Sequence, residues 1–544
     1  MMLKVSKEIL LRFLVASSSV ILAIAFNKLF PGTFSFILSI AVIVLAFIYL
    51  FILPSLRKYF GPSEPDLDFI FLLAHMLSLS TGKPPHTDLI KAVSDVGLYR
   101  NYGRYFKRIY ALSKEYGYNL PDACILISKR VREKYLKEFL ERLASVISVG
   151  EDVERFLETE FRNNLNMYEY IYGRIIDSLR ILLGSYAAVF ASAIFILMNF
   201  MILSFFFGGD ISLLQVAFIA VFVGMSSLVY LIYKVLPKDI LVNCEGVNVK
   251  YFKILRVTLP AMVVSALALT IFVILTKSEI LSGHLIYAAI GLLLFPAGFL
   301  AKRVEAFIYD VDRDFPIFTR MYGSHLSIIP SLLNALEPLL KTELGRLSKV
   351  MKILHVRLLN RISPDISFRL FSLETGSELV RKGTRILYDS MVYGADMVKA
   401  GNYISEVSTM LMRTRRLRHQ VFKAFESSVI MLHVAAIVLV AFSANLLNLF
   451  AQFLAKIPTI IPFTYFGPEI MSVLTVVMII FFSVINSLAL TIANKGLKHT
   501  FIYYLSILFI VSGLTMYIAQ QIINYLTGSV FVSATEVLSE LPTY

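Results

Sequence analysis

From Leu182 to Phe207 the chain reads LLGSYAAVFASAIFILMNFMILSFFF, with no Asp, Glu, Lys, Arg or His in it. A hydrocarbon core about 30 Å thick is crossed by roughly 20 apolar helical residues, so this stretch reads as a membrane span. Outward from it, similar runs lie at Phe13 to Phe30, Thr33 to Leu53, Leu213 to Leu236 and Val257 to Leu275. Further runs follow at Leu281 to Leu300, Val429 to Leu454, Ile470 to Ala493 and Phe501 to Leu526, giving about nine spans. The Phe30-Pro31-Gly32 turn makes the first two a helical hairpin rather than a cleaved signal peptide. Over all 544 residues, 57% are hydrophobic and 17% charged, against about 45–50% and about 25% in soluble domains. An ordinary soluble enzyme, a disordered chain and a disulfide scaffold are thereby excluded. The two cysteines, Cys124 and Cys244, read as buried small hydrophobes.

Basic residues orient the spans. With the amino terminus cytoplasmic, all of the 52 Lys and Arg fall inside except Lys28, Lys277 and Lys456, as the positive-inside rule requires. An odd number of spans then puts the carboxyl terminus outside. Without Trp, Tyr49, Tyr233, Tyr503 and Tyr525 are the candidate interfacial anchors. The division that follows is a transmembrane hairpin at 1–53, a cytoplasmic segment at 54–181, four spans with a short inside loop at 182–300, a second cytoplasmic segment at 301–428, three spans at 429–526 and an external tail at 527–544.

Both long cytoplasmic segments lack strand-like alternation and read as helical bundles. Leu136, Phe139, Leu140, Leu143 and Ile147 recur at three- and four-residue spacing with Lys137, Glu138, Glu141 and Arg142 between them, an amphipathic helix. Gly150 stops it, and Glu151, Asp152 and Glu154 open the next helix, where carboxylates face the positive end of the peptide dipoles. Landmarks repeat in the second segment: Asp68-Phe69 matches Asp314-Phe315, and the Gly150-Glu151-Asp152 turn matches Gly401-Asn402-Tyr403. Duplication and pseudo-twofold architecture are expected.

Catalytic patterns are missing. There is no phosphate loop, since Gly82-Lys83 runs into Pro84-Pro85 and proline supplies no backbone donor. Nucleophile-elbow, His-Glu-x-x-His and Cys-x-x-Cys patterns do not occur, and His86 with Asp88 reads as a solvated turn without further metal ligands. No enzymatic activity, cofactor or metal is expected. A secondary transporter with large cytoplasmic bundles is the alternative, and it calls for ionisable groups at bilayer depth. None is found well inside a span; Asn199, Asn445, Asn448 and Asn486 are the strongest polar groups there and read as hydrogen bonds between packed helices. Pro296 reads as a kink near a helix end. Arg413, Arg415, Arg416, Arg418 and Lys423 form a basic cluster just before the seventh span, suited to anionic headgroups or to an acidic partner. Nucleic acid is disfavoured because no stacking platform accompanies the charge.

The stretch from Asp68 through Gly82, followed by Leu89 and Ala92, resembles the opening helix pair of the type II secretion F superfamily. Gly117 to Ala123, then Phe139, Leu140, Ala144 and Gly150 to Leu157, is similar to its second half. A degraded second copy reads Asp314-Phe315-Pro316, Ser327 to Leu332, Glu374 to Leu379 and Gly394-Ala395-Asp396. The span number resembles the archaeal branch, which serves archaella and archaeal type IV pili. That resemblance implies an all-α, non-enzymatic platform in the cell membrane. It implies as partners a cytoplasmic hexameric secretion ATPase and pilin-like or archaellin-like subunits, and a homodimer is the expected assembly. The basic cluster and the turns at Gly150, Glu151, Asp152, Gly401 and Asn402 are the candidate ATPase contacts, the turns being equally readable as plain helix connections.

Overall fold

The computed structural model describes residues 66–94, 96–99, 101–206, 211–237, 239–276, 285–454 and 468–539. The first two expected spans and the hairpin turn between them lie outside the described residues. All regular secondary structure of the described residues is helical, apart from one isolated bridge between Val242 and Ser377. Among the described residues seven helices are long and apolar enough to cross a membrane, at the positions of the third to ninth expected spans. The chain is a multi-pass membrane protein.

Among the described residues six helices precede the first of these: α1 (Leu67–Ser80), α2 (His86–Ala92), α3 (Val96–Tyr99), α4 (Asn101–Lys114), α5 (Leu120–Ser128) and α6 (Lys134–Val149). Asp66 accepts a hydrogen bond from the Phe69 amide at 3.0 Å and so caps α1. His86 and Asp88 open α2 instead of lying in a turn. In α6 the expected apolar stripe is the buried face, with Leu136, Phe139, Leu140 and Leu143 inside. Phe69 meets the rings of Tyr135 and Phe139 at 5.1 and 5.6 Å, and it is this aromatic cluster that holds α1 to α6.

Then comes α7 (Val153–Phe206), 54 residues that begin among the bundle helices and end as a span. At about 1.5 Å per residue it is about 81 Å long. Two further spans, α8 (Ile211–Val235) and α9 (Lys250–Thr276), are joined by the loop around Asp239. The second half repeats the plan with α10 (Leu285–Ile328), α11 (Glu337–Leu340), α12 (Leu347–Leu359), α13 (Pro364–Thr375) and α14 (Glu378–Val392), then the 58-residue α15 (Met397–Leu454). The last spans are α16 (Pro468–Asn494) and α17 (Thr500–Ser539). The drawn boundaries after 181, 300 and 428 therefore fall inside α7, α10 and α15, which pass from bundle to membrane without a break. Even Pro296 and Pro316 lie within α10. Helix also continues through most of the stretch expected as a tail from Thr527.

The starts of α7 and α15 use one device. Gly150 and Gly394 take left-handed φ values of 77° and 68°, a conformation that glycine adopts without a Cβ clash. Two residues later an aspartate caps the long helix: Asp152 accepts from the Glu154 amide at 2.9 Å, and Asp396 from those of Val398 and Lys399 at 2.9 and 3.1 Å. Gly394-Ala395-Asp396 is thus the counterpart of Gly150-Glu151-Asp152. The expected turn at Gly401-Asn402 is corrected: both residues lie inside α15, and Gly401 is buried where that helix crosses α10. Losing such a cap costs about 1 kcal/mol, so Asp396→Ala should lower the midpoint of thermal unfolding in detergent by about one degree for a chain of this size, while Asp396→Asn should leave it nearly unchanged.

The long helices α7 and α15 lie parallel and in register. Glu154 pairs with Lys399 at 2.7 Å, Arg162 with Glu406 at 3.7 Å and Glu169 with Arg413 at 2.9 Å. Partners stay 244 to 246 residues apart along the pair, so equivalent positions of the two halves meet. That constant spacing is the signature of a pseudo-twofold axis running between the two helices.

A buried ion cluster as candidate functional site

The loop between α8 and α9 is short and enters the second bundle where its backbone has groups to share. The chain turns at Gly376 between α13 and α14, and the loop takes up what the turn leaves: the Asn243 amide donates to the Gly376 carbonyl at 2.8 Å, and the Glu378 amide donates to that of Leu241 at 3.2 Å. The Asn248 amide donates to the Leu373 carbonyl at 2.7 Å. So held, the loop carries Asp239 against the face of α15.

There Arg415 donates to both oxygens of Asp239, from Nε at 2.8 Å and from a terminal nitrogen at 2.7 Å. Its other terminal nitrogen donates to Asp312 on α10 at 2.5 Å. Arg418 donates to Asp239 at 3.4 Å and to the Tyr172 hydroxyl of α7 at 3.1 Å. Ser377, the cap of α14, donates to Asp312 while accepting from the Val380 amide at 3.2 Å. Arg415 and Asp239 are each 1% exposed and Asp312 is 0% exposed. Burial pushes the Asp239 carboxyl upward, and the Arg415 and Arg418 guanidiniums more than offset this, holding it below the usual carboxylate range. Two positive and two negative groups leave the cluster neutral, the condition under which buried charges persist. A second set flanks it: Arg381 pairs with Glu378 at 2.5 Å and Glu245 at 3.4 Å, and Lys382 with Asp68 of α1.

Chemically the cluster is a junction. It ties both long helices, α10, α14 and the interspan loop to one another where bundles meet spans. Each of its acids accepts from arginine, and Asp312 from Ser377 as well.

The expected basic surface divides on this geometry. Arg413, Arg416 and Lys423 are exposed, with Arg413 bonded to Glu169 and Lys423 to Glu426 at 2.6 Å. Arg415 and Arg418 are corrected: they point inward and offer nothing to a lipid or a docking protein. Helical phase is the reason, since 415 and 418 share the stripe of the buried Leu411 and Phe422. Gly150, Glu151 and Asp152 are exposed at the bundle tip, and Asn402 is exposed on α15. Asp239, Asp312, Tyr172 and Ser377 were not expected. The available signal was Asp312, four residues after Ile308 and three before Phe315, an acid on an apolar stripe.

Within the spans a second polar group was missed. His433 of α15 is buried, its Nε2 2.8 Å from Ser512 Oγ and its Nδ1 3.2 Å from the Asn486 side-chain nitrogen. Tyr186 donates to Asn486 Oδ1 at 2.7 Å. Asn486 therefore joins packed helices as expected. Asn199 and Asn445 instead bond carbonyls of their own helices, and the Asn448 side chain lies outside the described residues. Cys124 is buried, which pushes its thiol up to about 12. Cys244 is exposed, contrary to expectation, because its loop lies at the surface of the second bundle.

No family model and no solved structure matches the chain. Curated relatives do. Over 333 residues, 58% of either chain, it is 26% identical to a Flagella accessory protein J of Methanococcus voltae. Over 440 residues, 78% of either chain, it is 24% identical to the protein of that name from Methanocaldococcus jannaschii, so that along most of its length the chain is similar to an archaeal flagella accessory protein.

Proposed function

We propose that this chain is the non-enzymatic membrane platform of an archaellum-type or related type IV filament machine. Its bundles lie in the cytoplasm, and it converts movement of a hexameric secretion ATPase into assembly of pilin-like or archaellin-like subunits. The observation that carries this reading is the passage of α7, α10 and α15 from bundle into membrane as unbroken helices. α7 and α15 hold no proline, the usual site of a kink in a long helix, so force applied to a bundle reaches the bilayer through them without an intervening hinge. The relatives' name places them with archaeal flagella, and the sequence offers no phosphate loop with which to drive itself. The ATPase meets the bundle tips, at Gly150 to Asp152 and at Gly394 to Asp396, and the exposed Arg413, Arg416 and Lys423 serve as flanking contacts.

The test is purification of the tagged chain from its own membranes in mild detergent, with mass spectrometry of what accompanies it. A secretion-type ATPase and filament subunits are the expected companions, and deletion of the gene should leave cells without the corresponding filaments. Recovery without an ATPase, under conditions that preserve other membrane complexes, together with intact filaments in the deletion strain, rules the platform out.

A further inference from the structure

Arg303 stands three residues past Leu300, where the apolar run of α10 ends, or about 4–5 Å of rise. The polar layer of a bilayer adds about 5–7 Å beyond its hydrocarbon, so this residue is at the height of headgroup phosphates. Its guanidinium lies 5.7 Å from the centre of the Phe299 ring, one turn back toward the hydrocarbon, and 5.3 Å from that of Tyr251 on α9. Rings from two helices thus fix its position.

What Arg303 lacks is a carboxylate. Among the described residues no acid pairs with it, whereas Arg357, Arg381 and Arg415 each hold one within 2.7 Å. Glu305, the acid nearest in sequence, is turned inward, where it accepts from Lys302 at 2.7 Å, Asn494 at 2.9 Å and the Leu497 amide at 2.8 Å. A guanidinium that rests on aromatic faces keeps its N–H edge free for a bidentate bond to phosphate. On the membrane side of Arg303, Phe299, Phe295 and Leu292 are 46%, 36% and 60% exposed. They recur at four- and three-residue spacing, a single stripe that leads from the arginine into the bilayer. A free phosphate has no use for that stripe, but a lipid fits both ends of it. Lys250, Lys253 and Arg256 on α9 and Lys498 before α17 are exposed as well, and this excess of positive charge favours an anionic headgroup over a zwitterionic one.

We infer that Arg303, seated over Tyr251 and Phe299, binds the phosphate of an anionic phospholipid in the bundle-side leaflet, with an acyl chain lying along Phe299, Phe295 and Leu292. The assignment needs only the multi-pass architecture and survives failure of the platform reading.

The chain has no Trp, so Phe299→Trp places a single fluorophore beneath the guanidinium and keeps an aromatic face there. The full chain is reconstituted in phosphatidylcholine nanodiscs with rising fractions of phosphatidylglycerol that bears a nitroxide high on its acyl chain, and in a parallel series with phosphatidylcholine labelled in the same way. At equal fractions the anionic lipid should quench the Trp more strongly. A cation near an anionic headgroup is worth about fivefold in binding, so adding Arg303→Gln should lower the relative affinity for phosphatidylglycerol about fivefold. Lys253→Gln is the control, because Lys253 is as near the hydrocarbon but lies about 200° around α9 from Tyr251, and it should change little. Equal quenching by the two lipids overturns the assignment. So does an equal loss in the Arg303→Gln and Lys253→Gln variants, which marks diffuse surface charge instead of a site. Quenching by phosphatidylglycerol that inorganic phosphate abolishes also overturns it, in favour of a soluble phosphate ligand.

Discussion

Arg415→Met is expected to destabilise the protein by about 3–5 kcal/mol, the cost of leaving a buried charge without its partner. Asp239 and Asp312 both receive hydrogen bonds from this one guanidinium, and neither is reached by solvent. Removing it leaves two carboxylates facing the single charge of Arg418. The measurement is thermal unfolding and monodispersity in detergent. Adding Asp312→Asn restores neutrality, since Arg418 and Asp239 then remain as a pair, and much of the loss should return. Arg415→Lys keeps the charge without the bidentate fork and should fall between wild type and Arg415→Met. A wild-type melting curve for Arg415→Met would mean that the cluster does not hold the junction. The neutral double variant separates two roles. If it is stable and supports filament assembly, the cluster only builds the fold; if it is stable and filaments are lost, the cluster transmits movement.

Gly401→Leu should be nearly as damaging, by overpacking where two helices touch backbone to backbone. A Cβ at Gly401 would stand 2.6 Å from the Thr319 carbonyl oxygen, and one at Gly323 would stand 2.4 Å from that of Met397. No flexible side chain can yield there, because the obstacles are main chain. Forcing methylenes into a packed site costs about 1–3 kcal/mol, and a whole leucyl group at this crossing belongs at or above the upper end. The same substitution at the neighbouring exposed Asn402 is the control and should be close to neutral. Equal melting temperatures for Gly401→Leu and Asn402→Leu would show that α10 and α15 can part without penalty.

The spans were legible because bilayer thickness demands only length and apolarity, and Leu182 to Phe207 displays both. The amphipathic stripe of α6 was legible for a similar reason, each buried residue falling at helical spacing. Composition along a line was not enough for Arg415 and Arg418. Five basic residues within eleven positions look like one patch, but helical phase sends two of them inward, and their partners Asp239 and Asp312 lie more than a hundred residues away. Gly401 was read as a turn because glycine serves both turns and close helix crossings, and only the neighbouring helix distinguishes them. His433 passed unnoticed near the start of an otherwise apolar run; its partners are contributed by other helices. Continuity of α7 and α15 was also hidden, since a polar-to-apolar change in composition does not require a break in the backbone.

The ion cluster acquires a mechanical meaning from where it grips α7. Tyr172, through which Arg418 engages that helix, is 19 residues from Val153 and 34 from Phe206, or about 28 and about 51 Å along the axis. Because Glu154, Arg162 and Glu169 also tie α7 to α15, the two would turn about that point as one body with unequal arms: a 3 Å sideways push at the capped tips would carry the far end of α7 about 5 Å in the opposite sense, a ratio of strokes of nearly two.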